Sequence, residues 1–95
     1  MKTLKFECED PYEAEKLVGL VSVQKDDAIY IDEVTAVIGS EIVIKLKDKS
    51  SHVVMLKDKE NADRLKALLL NVVGGKAIIY SSDFAESVAE IALKS

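Results

Sequence analysis

The sequence predicts a single α+β domain over residues 1–95, in which a mostly antiparallel β-sheet packs against helices. Three observations lead to this fold class. Alternating apolar runs are followed three times by an aspartate and a helical pattern, a long stretch between them is rich in β-branched residues, and short polar turns divide that stretch into hairpins. The predicted order of elements is β-α-β-β-β-α-β-α. A chain of 95 residues suits one domain with one core.

The first predicted strand ends at Cys8 and leads into a helix whose start is marked by Asp10 and Pro11. We expect Asp10 to cap this helix, because its side chain can accept a hydrogen bond from an unpaired N–H group of the first turn. Pro11 has no N–H group to leave unpaired at that position. Asp58 and Asp83 precede the second and third predicted helices in the same way. An internal duplication would explain this repetition, but favourable helix-start chemistry explains it alone, and we adopt that interpretation.

The chain between the first two helices predicts three antiparallel strands. The first lies within residues 28–38, and Gly39-Ser40 suits a two-residue hairpin turn that leads into the second. Residues 48–51 are polar and predict the turn before the third strand. After the second helix, a strand at residues 76–80 leads into the last predicted helix. The apolar side chains expected to face inward from that helix are Phe84, Val88, Ile91 and Ala92.

The three central strands are predicted to be apolar on both faces. If the two turns close the hairpins, one face contains Ile29, Ile31, Val37, Ile42, Ile44, Leu46, Val53 and Met55. The opposite face contains Val34, Ala36, Ile38, Val43, Val54 and Leu56, with Tyr30 nearby. A sheet with one solvated face should alternate apolar with polar residues. Either helices cover both faces or one face contacts another chain, and a β-bulge at Asp32 and Glu33 would shift the alternation.

The second helix adds further apolar surface, because three consecutive leucines at residues 68–70 spread over about 200° of a helix and cannot all face one core. The predicted interface candidates are Val43, Val54, Leu56, Leu68, Leu69 and Leu70. Exposed apolar patches of this kind mark interaction sites, and twofold symmetry is their commonest solution. The sequence therefore predicts a small non-catalytic interaction or regulatory module that acts through protein–protein contacts, as a homodimer or with another protein.

Groups that could support catalysis or bind a metal are few. Cys8 is the only cysteine and His52 the only histidine, which excludes an intramolecular disulfide and a Cys/His metal cluster. We expect Cys8 to pack as a small hydrophobe and His52 to lie at a strand end. The sequence therefore predicts no catalytic residues, no cofactor and no metal site. The alternative is a small ligand-binding domain or an enzyme with a pocket between sheet and helices.

The charge distribution argues against nucleic acid and membranes as partners. The formal net charge is −4, which disfavours polyanionic surfaces. A predicted basic rim surrounds the second hairpin and consists of Lys45, Lys47, Lys49, Lys57 and Lys59. It lacks aromatic side chains on which bases could stack, so we interpret it as a solubilising rim, with an acidic protein surface as the alternative partner. No apolar run approaches the roughly 20 residues of a membrane span, the N-terminus does not resemble a signal peptide, and the expected location is the cytoplasm.

Overall fold

The computed structural model describes residues 2–22, 31–36, 39–70, 75–81 and 86–91. Within these ranges the helices are α1 (Pro11–Val21) and α2 (Lys59–Leu70). The strands are β1 (Lys2–Cys8), β2 (Ile31–Ala36), β3 (Glu41–Leu46), β4 (Ser51–Met55), β5 (Gly75–Ser81) and β6 (Ser87–Ile91). The predicted α+β class is confirmed. The strands form two three-stranded sheets, in the orders β1-β5-β6 and β2-β3-β4, and only the pairing of β1 with β5 among the described strands is parallel.

The last described element differs from the prediction, because the segment predicted as a third helix contains the strand β6. This strand pairs antiparallel with β5, and Ala77 lies opposite Ala89. Ala89 and Ile91 are buried whereas Val88 is exposed, so burial alternates with period two. Val88 and Ile91 have the spacing of a helix face, but pairing with β5 satisfies backbone groups that a helix would leave unpaired on that strand. Asp83, Phe84 and Ala92 lie outside the described residues.

The two helix starts are confirmed. Asp10 Oδ1 accepts a hydrogen bond from the Glu13 N–H at 2.9 Å, and Asp58 Oδ1 accepts one from the Asn61 N–H at 2.9 Å. The hydrogen bonds from the Asn61 backbone and side chain hold the pKa of Asp58 below its ordinary value. Both helices bury one apolar side, which consists of Ala14, Leu17 and Val21 in α1 and of Ala62, Leu65, Leu68 and Leu69 in α2.

The two sheets meet where β1 and β4 end, at an isolated antiparallel bridge between Cys8 and Leu56. Both side chains are fully buried. Two backbone hydrogen bonds flank the bridge, from Glu9 N to Met55 O at 3.2 Å and from Lys57 N to Glu7 O at 2.8 Å. The aspartate caps of α1 and α2 follow directly, so both helices begin beside this junction.

The contacts at the junction repeat between the two halves of the chain. A single shift along the sequence moves Cys8 onto Leu56 and Asp10 onto Asp58. The same shift relates two hydrogen bonds to strand N–H groups, from Glu7 N to Asn61 Oδ1 and from Met55 N to Glu13 Oε2, both 3.0 Å long. It also relates two hydrogen bonds to strand carbonyls, from Arg64 Nη2 to Lys5 O at 3.0 Å and from Lys16 Nζ to Val53 O at 2.5 Å. An approximate twofold axis therefore passes between Cys8 and Leu56.

This twofold relation extends the repetition of the first two strand–aspartate–helix segments to tertiary contacts, which helix-start chemistry alone does not require. The relation superposes β1 and α1 on β4 and α2, but it does not extend to the strands that pair with β1 and β4. In one sheet β1 lies beside β5 and parallel to it, whereas in the other β4 lies beside β3 and antiparallel to it. The two halves thus share a junction and differ in the surfaces around it.

The predicted division of the central strands into two faces was wrong. A two-residue turn at Gly39-Ser40 would pair Ala36 with Val43, but the structure pairs Ala36 with Ile42. A shift by one residue moves side chains to the opposite face, so Val34 lies on the same, buried face as Ile42 and Ile44. In the second hairpin, a turn at residues 48–51 would pair Val54 with Lys45, but the structure pairs it with Ile42, so Val54 also lies on the buried face. The anticipated bulge is present as a register shift between Ile31 and Glu33. The outer face of this sheet consists of Glu33, Thr35, Glu41, Val43, Lys45, Ser51, Val53 and Met55.

Candidate interaction surface

The predicted interface residues divide into buried and exposed groups. Val54 and Leu56 have no exposed surface, and Leu68 and Leu69 are buried on the core side of α2. Leu70 points away from that side and is 62% exposed. The prediction that Val54 and Leu56 lie on a surface for a partner conflicts with their burial, which follows from the register described above. They belong to the core of the chain itself.

The outer face of β2-β3-β4 has an apolar row with charged residues on either side. The register aligns Thr35, Val43 and Val53 across the three strands. Val53 is 45% exposed and Val43, on the central strand, is half-buried. The neighbouring rows consist of Glu33, Lys45 and Ser51 on one side and of Glu41 and Met55 on the other. The candidate interaction surface is this outer face.

Helix α1 contacts the edge of β4 through Lys16 and Glu13. The Lys16 ammonium donates to the Val53 carbonyl and lies 5.4 Å from the centre of the Tyr12 ring, within the range of a cation–π interaction. Glu13 Oε2 is 3.5 Å from the same ammonium. Tyr12 is 69% exposed, and the Lys16 ammonium links its ring to the backbone of Val53. Tyr12 and Val53 were not among the interface candidates predicted from the sequence.

The strand edges at the junction are closed by side chains of the helices. Glu13 and Lys16 bond to backbone groups of β4, and Asn61 and Arg64 bond to those of β1. Unpaired strand edges otherwise allow another chain to add a strand. Contact with a partner at β4 therefore involves the side chains of the outer face rather than added backbone hydrogen bonds.

Charged residues occupy the positions that the twofold relation pairs with this surface. The pairs are Val53 with Lys5, Met55 with Glu7, and Tyr12 with Glu60. Arg64 bonds to the Lys5 carbonyl as Lys16 bonds to that of Val53, so the local backbone environment is the same. The same local backbone contacts are therefore compatible with a charged residue at the counterpart positions.

The outer face of the other sheet also contains an exposed valine. Val88 is 45% exposed, as Val53 is, and lies opposite the half-buried Ile78. Lys76 and Glu90 form the next pair on that face. Lys5 lies beside Ile78 on the other flanking strand. Val88 thus offers a matched comparison for Val53, with the same side chain and the same exposure on a different sheet.

The predicted basic rim is divided by the structure into two groups at opposite ends of β4. Lys45, Lys47 and Lys49 lie near the β3–β4 turn, where Lys49 adopts a φ of 75°. Lys57 and Lys59 lie at the start of α2, where each contacts an acidic residue. The two ion pairs are Lys57 with Glu7 at 3.1 Å and Lys59 with Asp63 at 2.7 Å. The hydrogen bond to Glu7 raises the pKa of Lys57.

A short polar chain at the same turn does not have the arrangement of a catalytic triad. Ser50 Oγ donates to Asp48 Oδ1 at 2.5 Å and lies 3.0 Å from His52 Nε2. The hydrogen bonds from Ser50 lower the pKa of Asp48. In a triad the histidine lies between the acid and the nucleophile, whereas here the serine lies between the other two. These residues stabilise the turn.

Cys8 is expected to react slowly with a thiol probe in the native protein and rapidly in denaturant. Its side chain is fully buried, and burial, with the nearby charges of Glu13 and Asp10, raises its pKa to about 12. The thiolate is the reactive species, so the native state at neutral pH offers neither access nor nucleophile. The measurement is the labelling rate with and without urea. Rapid labelling of the native protein would contradict the buried position of β1.

Comparisons with protein-family models, with curated proteins and with solved structures found no match for this chain. In the described residues, no group of three or more His, Cys, Asp and Glu side chains is placed to hold a metal ion. No helix in the described part of the chain has the length and apolar character to cross a bilayer.

Proposed function

We propose that this protein is a small non-catalytic interaction module that associates with a second copy of itself through the outer face of β2-β3-β4. The observation that supports this proposal is the exposed apolar surface around Val53, at positions whose twofold counterparts are charged. Apolar patches bordered by polar residues are typical of interfaces, and twofold dimers are the commonest closed assemblies. The proposal includes a cytoplasmic location, which the single unpaired Cys8 supports because reducing compartments keep thiols free.

The decisive experiment compares Val53→Lys with Val88→Lys. The twofold counterpart of Val53 is Lys5, so we expect the fold to accept a lysine at position 53. Light scattering coupled to size exclusion should give a dimer mass for the native sequence at high micromolar concentration. We expect Val53→Lys to weaken association about tenfold or more, because it places charge in an apolar contact. Val88→Lys should leave the mass unchanged.

Circular dichroism and thermal unfolding of both variants provide the control for folding. A native protein that stays monomeric at several hundred micromolar would refute the proposed self-association. Equal effects of the two lysine substitutions would show that a non-specific change of surface charge, rather than the outer face of β2-β3-β4, determines the mass.

A further inference from the structure

Along the central strand of the proposed surface, the charge of the outward side chains changes from negative to positive. Along β3 the outward side chains are Glu41, Val43 and Lys45, so an acid, an apolar residue and a base follow one another. All three are half-buried in the sheet surface. In the part of the chain that the structure describes, neither Glu41 nor Lys45 forms an ion pair within 4.0 Å. Both charges are therefore available for an ion pair with another molecule.

A twofold axis between two copies of this face has two simple orientations. If it runs along β3, Lys45 meets Lys45 of the second copy and Glu41 meets Glu41. If it runs across β3 at Val43, Lys45 of each copy meets Glu41 of the other. Like charges placed opposite each other cost free energy that opposite charges do not. The charges therefore favour the axis that runs across β3 at Val43, and the β3 strands of the two copies then run antiparallel.

We infer that two copies pack face to face with antiparallel β3 strands, with Val43 against Val43 and with Lys45 of each copy against Glu41 of the other. This inference rests on the proposed function. Sheets packed face to face are about 10 Å apart, a separation that a lysine and a glutamate side chain span together. Glu33 lies beside Lys45 in the same row and is therefore diagonal to the incoming Glu41, so the direct pair remains the closer one.

The same axis superposes the apolar row on itself. Thr35, Val43 and Val53 lie along the axis, so each meets its own counterpart in the second copy, as an isologous interface requires. At the β4 end of this row, Lys16 contacts both the Val53 carbonyl and the Tyr12 ring. The centre of the contact is apolar and the two ion pairs lie on either side of it, which is the usual arrangement of a specific interface.

The test uses two charge reversals in the full chain, Glu41→Lys and Lys45→Glu. Each variant alone places like charges against each other at positions 41 and 45 of the paired β3 strands. We expect the dissociation constant of its dimer to be about tenfold or more higher than that of the native dimer. An equimolar mixture of the two variants pairs lysines with glutamates at both ends. The mixture should therefore regain the dimer mass in light scattering, at a total concentration where each variant alone is monomeric.

The outcomes separate this inference from the proposed function. A dimeric native protein whose two variants do not recombine would overturn the antiparallel arrangement and leave self-association standing. A native protein that is monomeric at high concentration would overturn both. If either single variant fails to fold, the double variant Glu41→Lys with Lys45→Glu replaces it, because its homodimer restores opposite charges. A folded double variant that stays monomeric would again overturn the inference.

Discussion

Val54→Glu is expected to unfold the protein rather than to dissociate a dimer. Val54 has no exposed surface and lies opposite Ile42 in the β3–β4 pairing. A carboxylate there would lose its hydration without gaining a hydrogen-bond partner or a counter-ion, at a cost of several kcal/mol. A small domain has a free energy of unfolding of only about 5–15 kcal/mol. The substitution therefore removes most or all of the stability of the folded state.

Urea denaturation followed by circular dichroism measures this effect, and Val53→Glu provides the control. Val53 is adjacent in sequence but lies on the outer face, so glutamate at position 53 should leave the urea midpoint nearly unchanged while it weakens self-association. A Val54→Glu protein that keeps the native midpoint would show that the register of β4 differs from the one described.

Leu17→Ala and Leu65→Ala are each expected to lower the free energy of unfolding by about 2–5 kcal/mol. The two leucines occupy twofold-related positions on α1 and α2, and both are fully buried. Each truncation leaves a cavity beneath its helix that the surrounding core fills only in part. The predicted similarity of the two losses tests the equivalence of the two helices.

The matched control for these truncations is Leu70→Ala. Leu70 has the same side chain on α2 but is 62% exposed, so its truncation should change stability by about 0.5 kcal/mol or less. Denaturant midpoints and slopes give all three values. A loss at position 70 as large as that at position 65 would contradict the orientation of α2.

The sequence predicted the local features of this fold and missed those that depend on distant pairing. The caps at Asp10 and Asp58 were predictable because the signal lies within four residues. The strand at Ser87–Ile91 was not, since its apolar spacing also fits a helix and the deciding contact is with β5. The parallel pairing of β1 with β5 and the division into two sheets have no local signal at all.

The candidate surface shows the same limit. Leu70 is exposed and Val43 is half-buried on the outer face, whereas Val54 was assigned to the wrong face because the predicted turn pairs it with Lys45 instead of Ile42. Val53 and Tyr12 were missed, although the sequence contains a signal for both. Aligning the first two strand–aspartate–helix segments on their aspartates places Val53 opposite Lys5 and Tyr12 opposite Glu60, and thereby marks where the two halves diverge.

The long separation in sequence between β1 and its partner β5 has a consequence during synthesis. The strands β2, β3 and β4 are neighbours in sequence and can pair as soon as they leave the ribosome, because contacts between nearby residues form early. β1 is made before these strands but pairs with β5, which is made after α2. A nascent chain thus displays the row of Thr35, Val43 and Val53 before β1 has its partner. The surface of the proposed dimer is thus complete before the sheet that contains β1 can form.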